Sequence, residues 1–109
     1  MEAAQKLHNA VGLAMKAGRI QSGDFTVERT VRAGKARLVL MDAKTSRNTI
    51  EKYQTICTNA DTPLMTVPEL GAAIGKPGRM LAAVTDNNFA NMIRRAAEGL
   101  RVEDEGTRG

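Results

Sequence analysis

Apolar positions along the chain recur with two different periods. Over Glu2–Ala17 they fall at Leu7, Val11, Ala14 and Met15, a spacing that lines up one side of a helix, and Gly18 follows as a natural stop. Arg19–Ser22 holds one strong apolar residue, Ile20, and has room only for a brief strand. Val27 and Val31 then return to the helical period, so a short helix is predicted at about Asp24–Ala33. It opens after Gly23, takes Asp24 as its candidate cap, and leaves through Gly34. Within it and just after it, Arg29, Arg32, Lys35 and Arg37 make a segment that packs by one side and offers charge from the other. In Ala36–Met41 the period is lost: after Arg37, Leu38, Val39 and Leu40 run unbroken, the pattern of a central strand covered on both faces.

Further along, Ser46 can cap a helix running to about Thr58 with Ile50, Tyr53 and Cys57 on one side, and Asn59–Pro63 breaks it. Leu64–Thr66 is a brief apolar run, and Pro68 suits the first turn of a short helix carrying Leu70, Ala73 and Ile74. Gly75 and the turn Lys76-Pro77-Gly78 end it. Met80–Val84 reads as another strand, and Asp86, Asn87 or Asn88 caps a last helix with a stripe at Phe89, Ile93, Ala96 and Leu100. Helices and strands alternate without an internal repeat, which predicts an α/β fold: a three-layer α/β/α sandwich around a four-stranded mixed sheet. One domain is expected over residues 1–100, followed by a flexible charged tail at 101–109.

Length and composition narrow this picture. A chain of 109 residues suits one domain, and 42% hydrophobic with 26% charged residues excludes wholesale disorder. The lone Cys57 has no internal disulfide partner, which fits a reducing cytoplasm. The opening lacks the signature of a signal peptide, and no apolar run nears the ~20 residues of a membrane helix, so a soluble cytoplasmic protein with no membrane partner is expected. Sixteen Lys and Arg against twelve Asp and Glu leave +4, and Glu103, Asp104 and Glu105 sit in the expected tail. The body is therefore more basic than the total, which points to polyanions, although the same surplus would serve solubility equally well.

Catalytic chemistry finds little footing. The one histidine, His8, lies in the first helix beside Leu7 and Val11, and Cys57 lies on an apolar stripe, so neither has the setting of a nucleophile–base pair. Ligand-spaced Cys/His pairs are absent, and Gly71, Gly75 and Gly78 around Lys76 lack both the Walker and the dinucleotide spacing, so no metal or cofactor is implied. Binding is the remaining chemistry. Gly23 begins a helix whose free amides attract phosphate, Arg29 follows at a reach of one or two turns, and Lys76 and Arg79 flank the tight Pro77-Gly78 turn. No helix-turn-helix, zinc-finger or basic-zipper pattern is present, and only Phe25, Tyr53 and Phe89 are aromatic, too few for a base-stacking sheet. Structured RNA met by helix ends and loops fits better.

The order S-G-D-F-T-V-E-R-T-V-R-A-G-K-A-R-L-V-L, then S-R-N-T before a helix, C-x-x-A-x-x-P-L, L-G-A-A-I-G-K and A-A-V-T-D-x-x-F-A resembles the kink-turn RNA-binding family of ribosomal protein L-seven-Ae, in its YlxQ-like bacterial branch. The resemblance spans about Leu7 to Leu100. It implies the three-layer fold and recognition of kink-turns: bent RNA helices with tandem sheared G·A pairs, in ribosomal RNA or in the company of ribosomal proteins; a monomer is expected. The family motif Gly-x-Asn-Glu-x-x-Lys falls on Gly23 to Arg29; Gly23 and the cation at Arg29 are kept in type, while Phe25 and Thr26 replace Asn and Glu. The family's second contact corresponds to Lys76, Pro77, Gly78 and Arg79. With the basic positions Arg32 and Lys35 of the same segment, the candidate RNA-binding set is Gly23, Asp24, Phe25, Thr26, Arg29, Arg32, Lys35, Lys76, Pro77, Gly78 and Arg79. Two functions compete on this scaffold: a non-enzymatic RNA-binding protein tied to ribosomes or translation, and a protein-interaction or ribosome-assembly factor for which an exposed Phe25 would be the anchor.

Overall fold

The computed structural model describes the backbone of residues 2–108 and the side chains of residues 3–99. The chain runs α1 (Glu2–Lys16), β1 (Ile20–Ser22), α2 (Asp24–Arg32), β2 (Leu38–Asp42), α3 (Arg47–Asn59), β3 (Leu64–Val67), α4 (Leu70–Ile74), β4 (Leu81–Val84) and α5 (Asn87–Arg108). Its strands form one sheet in the order β1-β4-β2-β3. β2 and β3 are parallel, and β4 lies antiparallel between β1 and β2, with Ile20 and Leu38 both opposite Val84. The sheet is thus mixed and four-stranded, and the unbroken apolar run does form a central strand.

Alternation along the two inner strands divides the core. Leu38, Leu40, Ala82 and Val84 pack with Leu7, Val11, Leu70 and Ile93 from α1, α4 and α5. Val39, Met41, Leu81 and Ala83 pack with Val27, Val31, Tyr53 and Cys57 from α2 and α3. Every residue of β2 and β4 is buried, as strands with helices on both faces require.

Four helices end the same way, with an amide reaching back five residues to a carbonyl of the last turn: Arg19 to Ala14, Lys35 to Thr30, Thr62 to Cys57 and Lys76 to Gly71, at 2.8–3.1 Å. Where three of these ends use glycine, α3 places Asp61 at φ 55°.

Two boundaries differ from expectation. Pro68 lies outside the short helix, because Glu69 turns left-handed at φ 53° and α4 starts at Leu70. Asp42 supplies the start: its Oδ1 accepts from the Leu70 amide at 2.9 Å. The backbone of α5 continues as helix through 101–108, past the helix end expected near Leu100. Leu100 and the acids Glu103, Asp104 and Glu105 lie outside the residues with described side chains.

Candidate nucleic-acid interface

Three loops meet where β1 and β2 finish and β4 begins: the turn into α2, the loop from β2 to α3, and the loop from α4 to β4. They line an open cavity of about 460 Å³.

Gly23 makes the first loop possible. It sits at φ 102°, and a β-carbon there would lie 2.5 Å from Arg79 Nη1. Its amide donates to the Leu81 carbonyl at 3.0 Å and its carbonyl accepts the Val27 amide at 2.9 Å, so strand β4 holds the very start of α2. Arg79 Nη1 donates to the Ser22 carbonyl at 3.0 Å, fastening the α4–β4 loop across this turn. That loop is seated by Gly71, where a β-carbon would come within 2.9 Å of the Lys76 carbonyl oxygen and 3.1 Å of the Gly78 nitrogen. The Arg79 amide closes the turn onto the Lys76 carbonyl at 3.2 Å, leaving Lys76, Pro77, Gly78 and Arg79 exposed.

The β2–α3 loop is held by its own hydrogen bonds. Asp42 organises it: Oδ2 accepts from the Lys44 amide at 2.8 Å, while Oδ1 reaches Leu70. The Thr45 hydroxyl donates to the Asp42 carbonyl at 2.7 Å, and Ser46 caps α3 as the sequence suggests. Lys44 stays exposed on the cavity wall. The signal available in the sequence is an aspartate two residues before a lysine at a strand end, the pattern of an Asx turn.

Asp24 has a different job from the one expected of it. Gly23 is the N-cap, no side chain caps α2, and Asp24 is the first helical residue. Its Oδ1 accepts from the Tyr53 hydroxyl at 2.5 Å and from Lys52 Nζ at 3.2 Å, and the same hydroxyl lies 2.6 Å from the Asp24 carbonyl oxygen. The bond from Tyr53 holds the Asp24 carboxyl below the usual carboxylate range, and burial pushes the Tyr53 phenol far up. Lys52 also reaches Glu28 at 3.1 Å, and Glu28 binds Arg32 at 2.9 Å. These contacts keep Glu28 low, Lys52 first and Arg32 second. α2 is thereby bolted to α3.

The predicted residues separate into three groups. Gly23, Asp24, Gly78 and Arg79 line the cavity, with Lys76 and Pro77 on the same loop. Phe25 is 75% exposed in the first turn of α2, with the Arg29 guanidinium 5.6 Å from its ring centre; the Thr26 carbonyl accepts the Thr30 hydroxyl at 2.8 Å. Arg32 and Lys35 lie at the opposite end of α2 and of the sheet, so they do not join the cavity. Elsewhere, His8 Nε2 lies 2.7 Å from the Pro68 carbonyl oxygen, and the free Cys57 is buried.

The sequence profile of the Ribosomal protein L7Ae/L30e/S12e/Gadd45 family matches residues 5–93, a span that contains all three loops. RNA-binding protein YlxQ of Bacillus subtilis (strain 168) is 37% identical over 86 residues, 76% of this chain and 86% of that protein. The protein of the same name from Enterococcus faecium is 33% identical over 98 residues, 87% of this chain and 94% of its own. Among solved structures, a protein with unknown function from Bacillus halodurans C superposes with a TM-score of 0.80 at 27% identity, covering 85% of this chain and 97% of that one. The Giardia lamblia 15.5kD RNA binding protein shares the fold with a TM-score of 0.71 at 20% identity, over 94% of this chain and 90% of its own. With the family profile spanning most of the chain and the relatives matching along it, this protein belongs to the Ribosomal protein L7Ae/L30e/S12e/Gadd45 family.

Proposed function

We propose that this chain is a non-enzymatic RNA-binding protein that recognises kink-turns. One observation carries the reading: Arg79 bonds to the Ser22 carbonyl, 57 residues away in sequence, and fuses two loops into one cationic rim. Arg79, Arg29, Lys44 and Lys76 meet phosphates, being exposed and unpaired with any carboxylate among the described residues. Asp24 serves the rim by anchoring the start of α2 and does not contact RNA. Phe25 offers a stacking surface in place of the hydrogen bonds that Asn and Glu would make to G·A edges. The names of the two YlxQ relatives support RNA as the ligand. A cytoplasmic monomer working on ribosomal RNA or beside ribosomal proteins completes the reading.

A kink-turn duplex labelled at both ends reports affinity and bend together. Arg29→Ala combined with Lys76→Ala weakens its binding and lowers the slope of log K against log salt by about 0.9 for each phosphate no longer neutralised. Undiminished affinity with an unchanged slope sinks this assignment. The second reading, a protein-interaction or ribosome-assembly factor, draws on the exposure of Phe25 alone. It gains if Phe25→Ala abolishes association with a ribosomal protein and leaves RNA affinity untouched.

A further inference from the structure

Away from the cavity, the other end of the sheet gathers cations that the contact just proposed does not use. α2 runs the length of the sheet, nine residues or about 14 Å, from Gly23 at the cavity to Arg32 at the far end. At that far end the sheet ladder continues one residue past the strands. The Arg37 amide donates to the Val84 carbonyl at 2.7 Å, and the Thr85 amide donates to the Arg19 carbonyl at 2.9 Å. Arg19 therefore continues the β1–β4 register opposite Thr85, while Arg37 shares Val84 with Leu38 in a bulge; the two flank the end of β4.

Ile20 packs into the core shared with α1 and α5, so Arg19 falls on the other face, the one covered by α2 and α3; Arg37 stands at the same end of the sheet, between Ala36 of that face and Leu38 of the opposite one. Lys35 arrives at the same corner, its amide tied to the Thr30 carbonyl at 3.1 Å as α2 ends. Arg19, Lys35 and Arg37 are exposed, and none pairs with a carboxylate among the described residues. The acids nearest in the chain are engaged or turned elsewhere: Glu28 holds Arg32 and Lys52, and Asp86 caps α5 by accepting the Phe89 amide at 3.0 Å.

A single cation suffices to complement the negative end of a short helix. Three gathered at one end of the sheet with no ion pair among the described residues repel one another, and an arriving polyanion relieves that repulsion. We propose that Arg19, Lys35 and Arg37 form a second, shape-insensitive contact for RNA phosphates. The two contacts lie at opposite ends of the sheet, about 14 Å apart along α2, and in this proposal one molecule holds two RNA segments. The proposal stands apart from kink-turn recognition, since it requires only a phosphate backbone.

A plain A-form RNA duplex without a kink is the probe, titrated over a salt series. The triple variant Arg19→Gln/Lys35→Gln/Arg37→Gln is expected to bind it at least tenfold more weakly at low salt. Its log–log salt slope falls by about 2 to 3, one phosphate for each cation removed. The single variants Arg19→Gln and Arg37→Gln, which leave the helix end intact, each lower the slope by about 1. Two differently labelled duplexes show energy transfer when one wild-type molecule bridges them, and the triple variant abolishes it. Variants that melt earlier but bind the duplex with wild-type affinity and slope overturn the proposal, because the cations then only complement α2. Polyglutamate competing where RNA does not bind overturns it in favour of an acidic protein partner. Loss of kink-turn bending in Arg79→Ala with duplex binding retained supports the far contact and leaves it standing whatever becomes of the first.

Discussion

The two ends of the sheet carry cations in opposite ways. Around the cavity the cations come with fixed backbone: Arg79 is hydrogen-bonded to Ser22, Lys44 follows an aspartate-bound turn, and a glycine seats each flanking loop. At the far corner Arg19, Lys35 and Arg37 stand on fixed backbone, their side chains without an ion pair among the described residues. The tethered Arg79 side chain is pre-organised and loses little freedom on binding, so it can select one geometry. Free donors attract any phosphate chain and respond mainly to salt. Charge alone does not distinguish the two ends; what holds the charge does.

The contrast breaks most readily at Asp42, whose two oxygens each serve a different loop. Asp42→Ala strands the Leu70 and Lys44 amides and is expected to cost about 3 kcal/mol in a urea titration, with loss of cavity-side RNA binding and no change in the salt slope of the far corner. Gly23→Ala comes next. The left-handed backbone and the clash with Arg79 together cost about 2 kcal/mol and push the guanidinium off Ser22, so kink-turn affinity falls more than that of a plain duplex. Equal loss for both RNAs would erase the distinction between the ends.

Tyr53→Phe has a smaller effect, about 1 kcal/mol, because Lys52 still holds Asp24. It also has a pH signature. The native Asp24 pKa is depressed, so its contribution is fully present above the unfolded value of about 3.9 and is lost as pH falls through the lower native one. Acid titration of stability below pH 4 should therefore flatten in Tyr53→Phe. Arg32→Gln is the mildest change: an exposed i,i+4 pair with Glu28 is removed, and the urea midpoint should not move measurably.

Most elements are legible in the sequence because the apolar period records which face is buried, and burial dominates local structure. The α2 helix, the central strand and the Ser46 cap all follow from residues within a few positions of one another. What escapes depends on distant partners. Asp42, just past the apolar run Ala36–Met41, shows no role in sequence, because its partner is the Leu70 amide 28 positions on. Asp24 reads as a cap until Tyr53, 29 positions on, claims its carboxylate. Pro68 suits a helix start until Glu69 turns left-handed. Arg32 and Lys35 share a segment with Gly23 and so read as one group with it; a nine-residue helix crosses the whole sheet and delivers them to its far end.

The place of β4 has a consequence for the order in which the molecule is made. β1 and β2 never touch as a pair: the last strand, Leu81–Val84, is inserted between them, and Gly23 hangs from its first residue. A nascent chain that has reached only Gly75 holds two unsatisfied strand edges facing an empty slot. The slowest step of assembly should then be the late threading of β4, a closure between partners some sixty residues apart. Until it happens the turn at Gly23 has no support, so a partly synthesised chain cannot engage its ligand early.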